Sequence, residues 1–192
     1  KDLAAKAIVL EAGYTGPAKA AAQRQGIAIL RLNQDSNVAG KFLLLGEGAS
    51  AAAKDKLPDH KDVALILHTS GTTSRPKIVP LWQSNITASA RNIAISLNLT
   101  SSDRCMNVMP LFHIHGLIAA VASSLSVGAS IWCTGGFNAM TFFASMGAAK
   151  PTWYTAVPTM HQAILSRAGR NEETIKANPL RFLRSSSASL PA

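Results

Sequence analysis

The chain has 192 residues, 47% of them hydrophobic and 15% charged, which is too apolar for a disordered segment and long enough to bury a core. Nineteen Lys and Arg against ten Asp and Glu give a formal charge of +9, so an anionic partner is expected: nucleic acid, a membrane surface or a phosphorylated ligand. The two cysteines, Cys105 and Cys133, have no C-x-x-C pair and no His at ligand spacing, which argues against a disulfide framework or a zinc site and for a reducing, intracellular setting.

Residues 1–20 lack a basic n-region followed by an apolar stretch, so no secretory signal is read there, and the start at Lys1 reads as that of an excised piece. Short aliphatic runs over 7–10, 27–32 and 42–45 predict strands. A helix over 17–25 separates the first two and stops at Gly26. The polar, Lys- and Asp-rich stretch 50–62 is a connector, which divides the chain into a βαβ segment with its connector (1–60) and a second part (61–192). The second part opens with an apolar strand over 63–67. Ile86, Ala90, Ile93 and Leu97 then fall on one face of a helix over 81–97.

Beyond a turn at 100–103, strands are predicted over 106–109, 130–133, 153–157 and 182–186. They alternate with helices over 116–125 and 140–149 and a helix begun by Pro158 and stopped at Gly169. This alternation predicts an α/β fold with largely parallel sheets. From Cys105 to Ala149 there is no charged residue at all. A membrane span needs about 20 uninterrupted apolar residues, whereas Ser123, Ser124, Ser126, Gly128 and Ser130 interrupt this run. A helix and strand buried on every side are the reading preferred here.

The strand over 63–67 runs into His68-Thr69-Ser70-Gly71-Thr72-Thr73-Ser74-Arg75-Pro76-Lys77, a loop of hydroxyls and one Gly closed by two cations. Backbone N–H groups and hydroxyls of such a loop can converge on phosphate oxygens, with Lys77 as a mobile charge. It is not the G-x-x-x-x-G-K-[ST] loop, because Ile78 follows Lys77 and Pro76 and Pro80 prevent an immediate helix. Composition alone leaves a merely solvated loop as an equal alternative. In Pro110-Leu111-Phe112-His113-Ile114-His115-Gly116, the H-x-H pair would project to one face of a strand as metal ligands, but no third ligand is evident; a core histidine is the other plain reading.

The stretch 69–77 resembles the AMP-binding signature of the adenylate-forming superfamily, which includes acyl-CoA synthetases. Residues 110–116 are similar to that family's P-x-F-H-x-x-G segment, 153–159 to its cavity-wall strand and Pro-started helix, and 181–190 to its adenine-contacting turn. With residues 157–162, the likeness is to the oxalate and peroxisomal-type CoA ligase branch. Ser74 and Ile78 stand where Gly is frequent.

The resemblance implies an ATP-dependent acid–CoA ligase, using ATP, Mg²⁺ and CoA, acting through an acyl-adenylate on a small carboxylate. It also implies a set of site residues. Thr69, Ser70, Gly71, Thr72, Thr73, Ser74 and Lys77 would hold ATP phosphates; His113, His115 and Gly116 would line the acyl and CoA pocket; Ser187, Ala188 and Ser189 would meet the adenine. No metal-ligating and no catalytic residue is expected within these 192 residues, which read as an internal fragment of the large N-terminal domain and are expected to be inactive alone. A cytoplasmic address, peroxisomal in a eukaryote, goes with that branch. The rivals are a basic nucleic-acid-binding or interaction domain, opposed by cations that are scattered singly rather than clustered with aromatics, and a short nucleotide-binding protein without catalysis.

Overall fold

The structure is a computed structural model describing residues 3–35, 37–38, 40–46, 57–69 and 77–189. The chain divides into two compact units, Lys1–Leu57 and Pro58–Ala192. In the first, β1 (Ala7–Glu11) and β2 (Ala28–Gln34) pair in parallel, Ala7 opposite Ala28, across the crossover helix α1 (Pro17–Arg24). Pro17 stands in the first turn, where its missing N–H costs nothing, and Gly26 turns the chain at φ +63° just past the helix end. The third strand, β3 (Phe42–Gly46), runs antiparallel to β2, so this sheet is mixed.

The second unit begins with β4 (Val63–Thr69) and β5 (Lys77–Trp82), an antiparallel pair in which Thr69 stands opposite Lys77. The sequence reading left β5 out and began the next helix at 81. In a two-stranded sheet every strand is an edge, so Pro80 can sit opposite Ile66 without depriving a central ladder of a donor. Helix α2 (Gln83–Ser96) starts where the Asn85 side chain accepts the Trp82 N–H at 2.9 Å.

Four parallel strands follow: β6 (Arg104–Asn107), β7 (Ser130–Cys133), β8 (Trp153–Ala156) and β9 (Phe182–Ser185), in the order β7-β6-β8-β9. The connections are α3, which is π-wound over His115–Ala122 and continues as Ser123–Leu125, then α4 (Phe142–Ala149), and finally α5 (Pro158–Ala168) with the short α6 (Glu172–Ala177). Sequence reading missed α6. It has no apolar stripe, and is held by Glu172 and Glu173 in its first turn and Lys176 in its last, each complementing the helix dipole.

Strand alternation sends side chains to two cores. Cys105, Trp153 and Phe182 lie side by side in register and pack with Ala94 of α2 and Ala120 of α3. Their neighbours Met106 and Tyr154 point the other way, onto Phe142, Phe143 and Met146 of α4 and Ile164 of α5. Thus α2 and α3 cover one face of the sheet, and α4, α5 and α6 the other. Of the uncharged run, the helix is buried as expected, with Ser123 and Ser124 fully enclosed and each hydroxyl donating to the carbonyl four residues back, on Ala119 and Ala120, at 2.7 Å, but the strand is not: β7 is an edge of the sheet, with Ser130, Trp132 and Cys133 exposed. Among the described residues, no helix is long and apolar enough to cross a membrane.

Candidate functional site

From β6 the chain crosses to β7 on one side and then returns to β8 on the other. The ends of β6 and β8 therefore diverge at a topological switch point, the place where open parallel sheets leave a crevice beyond their carboxyl ends. Three segments far apart in sequence meet there through one side chain. His115, 4% exposed, opens α3; its Nε2 lies 2.7 Å from Thr155 Oγ1 on β8, and its Nδ1 lies 3.2 Å from Ser187 Oγ just past β9.

The partners fix the chemistry of that imidazole. Thr155 Oγ1 also lies 3.3 Å from the Arg184 carbonyl and accepts from Arg184 Nη1 at 3.2 Å, and that Nη1 lies 3.3 Å from His115 Nε2. Each ring nitrogen thus has a hydroxyl partner, Thr155 at Nε2 and Ser187 at Nδ1. Burial first, and then the nearby positive charge of Arg184, push the His115 pKa down from 6.5 to about 4. It is a neutral ring at physiological pH, tying a helix to two strands.

Arg184 shares the sheet face of Thr155, which stands opposite it in register. Its guanidinium is half-buried and its pKa is lowered by that burial. Behind the strand, Tyr154 Oη donates to His161 Nδ1 at 3.1 Å and His161 Nε2–H donates to the Arg184 carbonyl at 3.2 Å. The backbone of Arg184 is thus held from both faces of the sheet. Sequence reading put Thr155 in the cavity-wall segment 153–159 and Arg184 in the adenine-contacting segment 181–190, but singled out neither side chain. The alternation of β9, with Phe182 facing the α2 and α3 core, puts Arg184 on that same side and is the signal that could have found it.

Of the expected pocket residues, His113 and His115 are not on a strand, as the H-x-H reading required. His113 is exposed in the turn before α3; its Nδ1 accepts the His115 N–H at 3.1 Å, and its carbonyl accepts the Leu117 N–H at 3.0 Å. It closes the first turn of the helix instead of sharing a ligand sphere. Among the described residues no three His, Cys, Asp or Glu side chains gather to hold a metal. Gly116 is required by space: a Cβ there would stand 2.5 Å from the Pro110 carbonyl oxygen and 2.9 Å from that of Met109.

Ser187, Ala188 and Ser189 follow β9 in exposed turn backbone, with Ser187 at φ +74°. Lys77 is exposed at the start of β5 and Thr69 ends β4. Ser70, Gly71, Thr72, Thr73 and Ser74 lie outside the described residues, so the structure joins the 110–116 and 181–189 segments at one point and does not extend to the hydroxyl loop.

A family model described as AMP-binding enzyme matches residues 1–192. An oxalate–CoA ligase of Arabidopsis thaliana is 49% identical over 158 residues, covering 79% of this chain and 30% of that protein. ATP-bound MatB from Rhodopseudomonas palustris superposes with a TM-score of 0.73 at 26% identity, over 96% of this chain and 36% of that one. A malonyl-CoA ligase complex holding methylmalonyl-CoA and AMP gives a TM-score of 0.75 at 25% identity, over 99% and 38%. The chain therefore spans about a third of the length of these relatives.

Proposed function

Since this chain belongs to the AMP-binding enzyme family, we propose that it supplies part of the nucleotide and acyl site of an AMP-forming acid–CoA ligase. In that reaction a carboxylate oxygen attacks the α-phosphorus of ATP, the bond to the β-phosphate breaks, and an acyl-adenylate and pyrophosphate form. The CoA sulfur then attacks the acyl carbon; the thiol proton is lost, the thioester forms and AMP leaves.

The observation that carries the reading is the convergence of the 110–116, 153–159 and 181–189 segments on His115 at the switch point, the location where a ligand-binding crevice is expected. Ser187, Ala188 and Ser189 present backbone and small side chains to which a flat base can approach. His113 and His115, with Gly116 admitting the close backbone of Pro110, form the acyl side. Thr69 to Ser74 and Lys77 hold the outer phosphates, where positioning and charge neutralisation supply most of the catalysis. Mg²⁺ would neutralise phosphate charge when bound. The described residues offer it no acidic cluster.

Family membership disfavours the nucleic-acid reading of the positive charge. The test is acid-dependent ATP/pyrophosphate exchange by the complete protein carrying this sequence, with a panel of short and long carboxylic acids. Exchange is expected with at least one acid and is expected to fall at least about tenfold in Lys77→Ala, since a charge-assisted contact to phosphate contributes about 1.5–3 kcal/mol. Undiminished exchange in Lys77→Ala removes Lys77 from the phosphate site; no exchange with any acid refutes the ligase reading.

A further inference from the structure

Behind the sheet a second histidine reaches the end of β9 from the opposite face. His161 stands in the first turn of α5, where Pro158 fixes the start of the helix and the His161 N–H donates to the Val157 carbonyl at 3.1 Å. Its Nε2 lies 3.2 Å from the Arg184 carbonyl. A carbonyl only accepts, so the hydrogen is on Nε2, and the other ring nitrogen faces Tyr154 Oη at 3.1 Å. The centroids of the two rings are 5.4 Å apart. Tyr154 is itself buried in the core of Phe142, Phe143 and Ile164, so a fixed neighbour sets the plane of the His161 ring.

The carbonyl that His161 holds lies where the ladder gives out. The pairing of β8 with β9 ends with Ala156 opposite Ser185, and the Ser186 N–H then donates to the Ala156 carbonyl at 3.3 Å. One residue further on, Ser187 takes φ +74°, a left-handed conformation that costs a residue with a Cβ about 1–2 kcal/mol. Such a conformation persists where its surroundings over-determine it. Two imidazoles do so here. His115 Nδ1 is 3.2 Å from Ser187 Oγ on one face of the sheet, and His161 grips the backbone three residues earlier from the other.

Resting on the reading of Ser187, Ala188 and Ser189 as the turn that meets the adenine, we propose that His161 is a positioning residue for the nucleotide: through the Arg184 carbonyl it fixes the direction in which the backbone leaves β9, and with it the placement of that turn against the base. Side chains alternate across β8, Tyr154 toward α4 and α5 and Thr155 toward His115. His161 is on the Tyr154 side, so the sheet stands between it and a ligand beside His115. It acts through the backbone alone. A tilt of the Arg184 peptide is carried into the turn, and contacts between a ligand and fixed backbone tolerate little displacement. His115 lies among the acyl-side residues, so changing it disturbs acid and nucleotide together, whereas changing His161 separates the two.

The experiment uses the complete protein as wild type, His161→Leu and His161→Gln. AMP binding is followed by calorimetry, and pyrophosphate release is measured at varied ATP and varied acid, with the acid of the panel that supports the fastest exchange. His161→Leu is expected to raise the Kd for AMP and the KM for ATP about 3- to 10-fold, the range for one neutral hydrogen bond, with the KM for the acid changed by less than about twofold. His161→Gln, whose amide N–H reaches the same carbonyl, is expected to bring both nucleotide constants back to within about twofold of wild type. Loss of folded protein lowers kcat and the number of AMP sites and leaves these constants alone, so the readout separates position from stability. Tyr154→Phe keeps the His161 donor and removes only the hydroxyl that orients the ring; an intermediate rise in both constants is expected, and this variant serves where His161→Leu does not fold. Unchanged constants in His161→Leu, no recovery in His161→Gln, or an equal rise in the KM values for ATP and acid each overturns the proposal.

AMP binding also separates the positioning role from the ligase reading. AMP affinity that falls in His161→Leu and returns in His161→Gln, with no pyrophosphate release from any acid of the panel, would keep the positioning role and refute the ligase reading. Pyrophosphate release with the same nucleotide constants in every variant would keep the ligase reading and refute the positioning role. Neither AMP binding nor pyrophosphate release in wild type would refute both.

Discussion

His115 makes the stability of this site depend on mild acid. The imidazole is neutral in the folded protein, with its pKa near 4, and has an ordinary value of 6.5 when the chain is unfolded. Between those values the unfolded chain binds a proton that the folded one does not. The contribution of His115 is thus fully present above pH 6.5 and lost as pH falls through the window toward 4. At pH 5 the loss relative to neutral pH is about 2 kcal/mol, or about 30-fold in the opening equilibrium.

Hydrogen exchange of the amides of α3 and β8 in the complete protein, corrected for intrinsic rates, reads this directly. Protection is expected to be about 30-fold lower at pH 5 than at pH 7.5. In His115→Gln, whose amide can reach Thr155 but does not titrate, that drop is expected to disappear even if protection is lower overall. An unchanged pH dependence in His115→Gln would show that the imidazole is not the titrating group and would refute the neutral network drawn around it.

Two further outcomes follow from packing and burial. Gly116→Ala forces a methyl into the carbonyls of Pro110 and Met109 and is expected to lower stability by about 1–3 kcal/mol. Gly147→Ala, inside α4 with its nearest obstacle 3.7 Å away, is expected to be neutral or to stabilise by up to about 1 kcal/mol; thermal melts of the two variants reversing this order would contradict the geometry. Cys105 is buried, and that burial, followed by the neighbouring Cys133 charge, pushes its thiol pKa up to about 12, whereas Cys133 is exposed. Mass spectrometry after brief iodoacetamide treatment at pH 8 is expected to find Cys133 alkylated and Cys105 unmodified until the protein is denatured, and labelling of both at equal rates would show that the sheet opens readily.

What was legible in the sequence was whatever a local period or a rigid residue announces. The strand over 130–133 was read at its observed bounds, and Pro158 placed the start of α5, because a short apolar run after a Gly turn and a fixed φ need no long-range information. The strand β5 was missed for the converse reason. Pro80 and Lys77 lower its strand propensity, and only the pairing with β4, across residues that sequence reading treated as a loop, makes it a strand. The H-x-H pair shows the same limit. Two residues apart is one face of a strand but nearly opposite sides of a helix, and the choice between them is made by Gly116, which lets α3 begin against the Pro110 carbonyl.

The site itself was half legible. Residues 110–116 and 187–189 could be picked out as motifs, but their meeting required the order β7-β6-β8-β9, which places Thr155 of a central strand between them. Arg184 was hidden by the summed charge. A total of +9 gives no reason to single out one cation, and the informative fact is which cation has a carboxylate partner among the described residues. Arg181 meets Asp103 at one end of the sheet, while Arg184 at the other end meets only hydroxyl and imidazole groups.

The neutrality of His115 and the charge of Arg184 belong to one arrangement. With Arg184 Nη1 only 3.3 Å from His115 Nε2, a protonated imidazole would repel the guanidinium at a distance where two charges interact by several kcal/mol, even with the screening of a protein surface. A carboxylate in place of His115 would neutralise the guanidinium. A neutral ring held between two hydroxyls does neither. It anchors α3 to β8 and to the turn after β9, and it leaves the positive charge of Arg184 undiminished by its own titration.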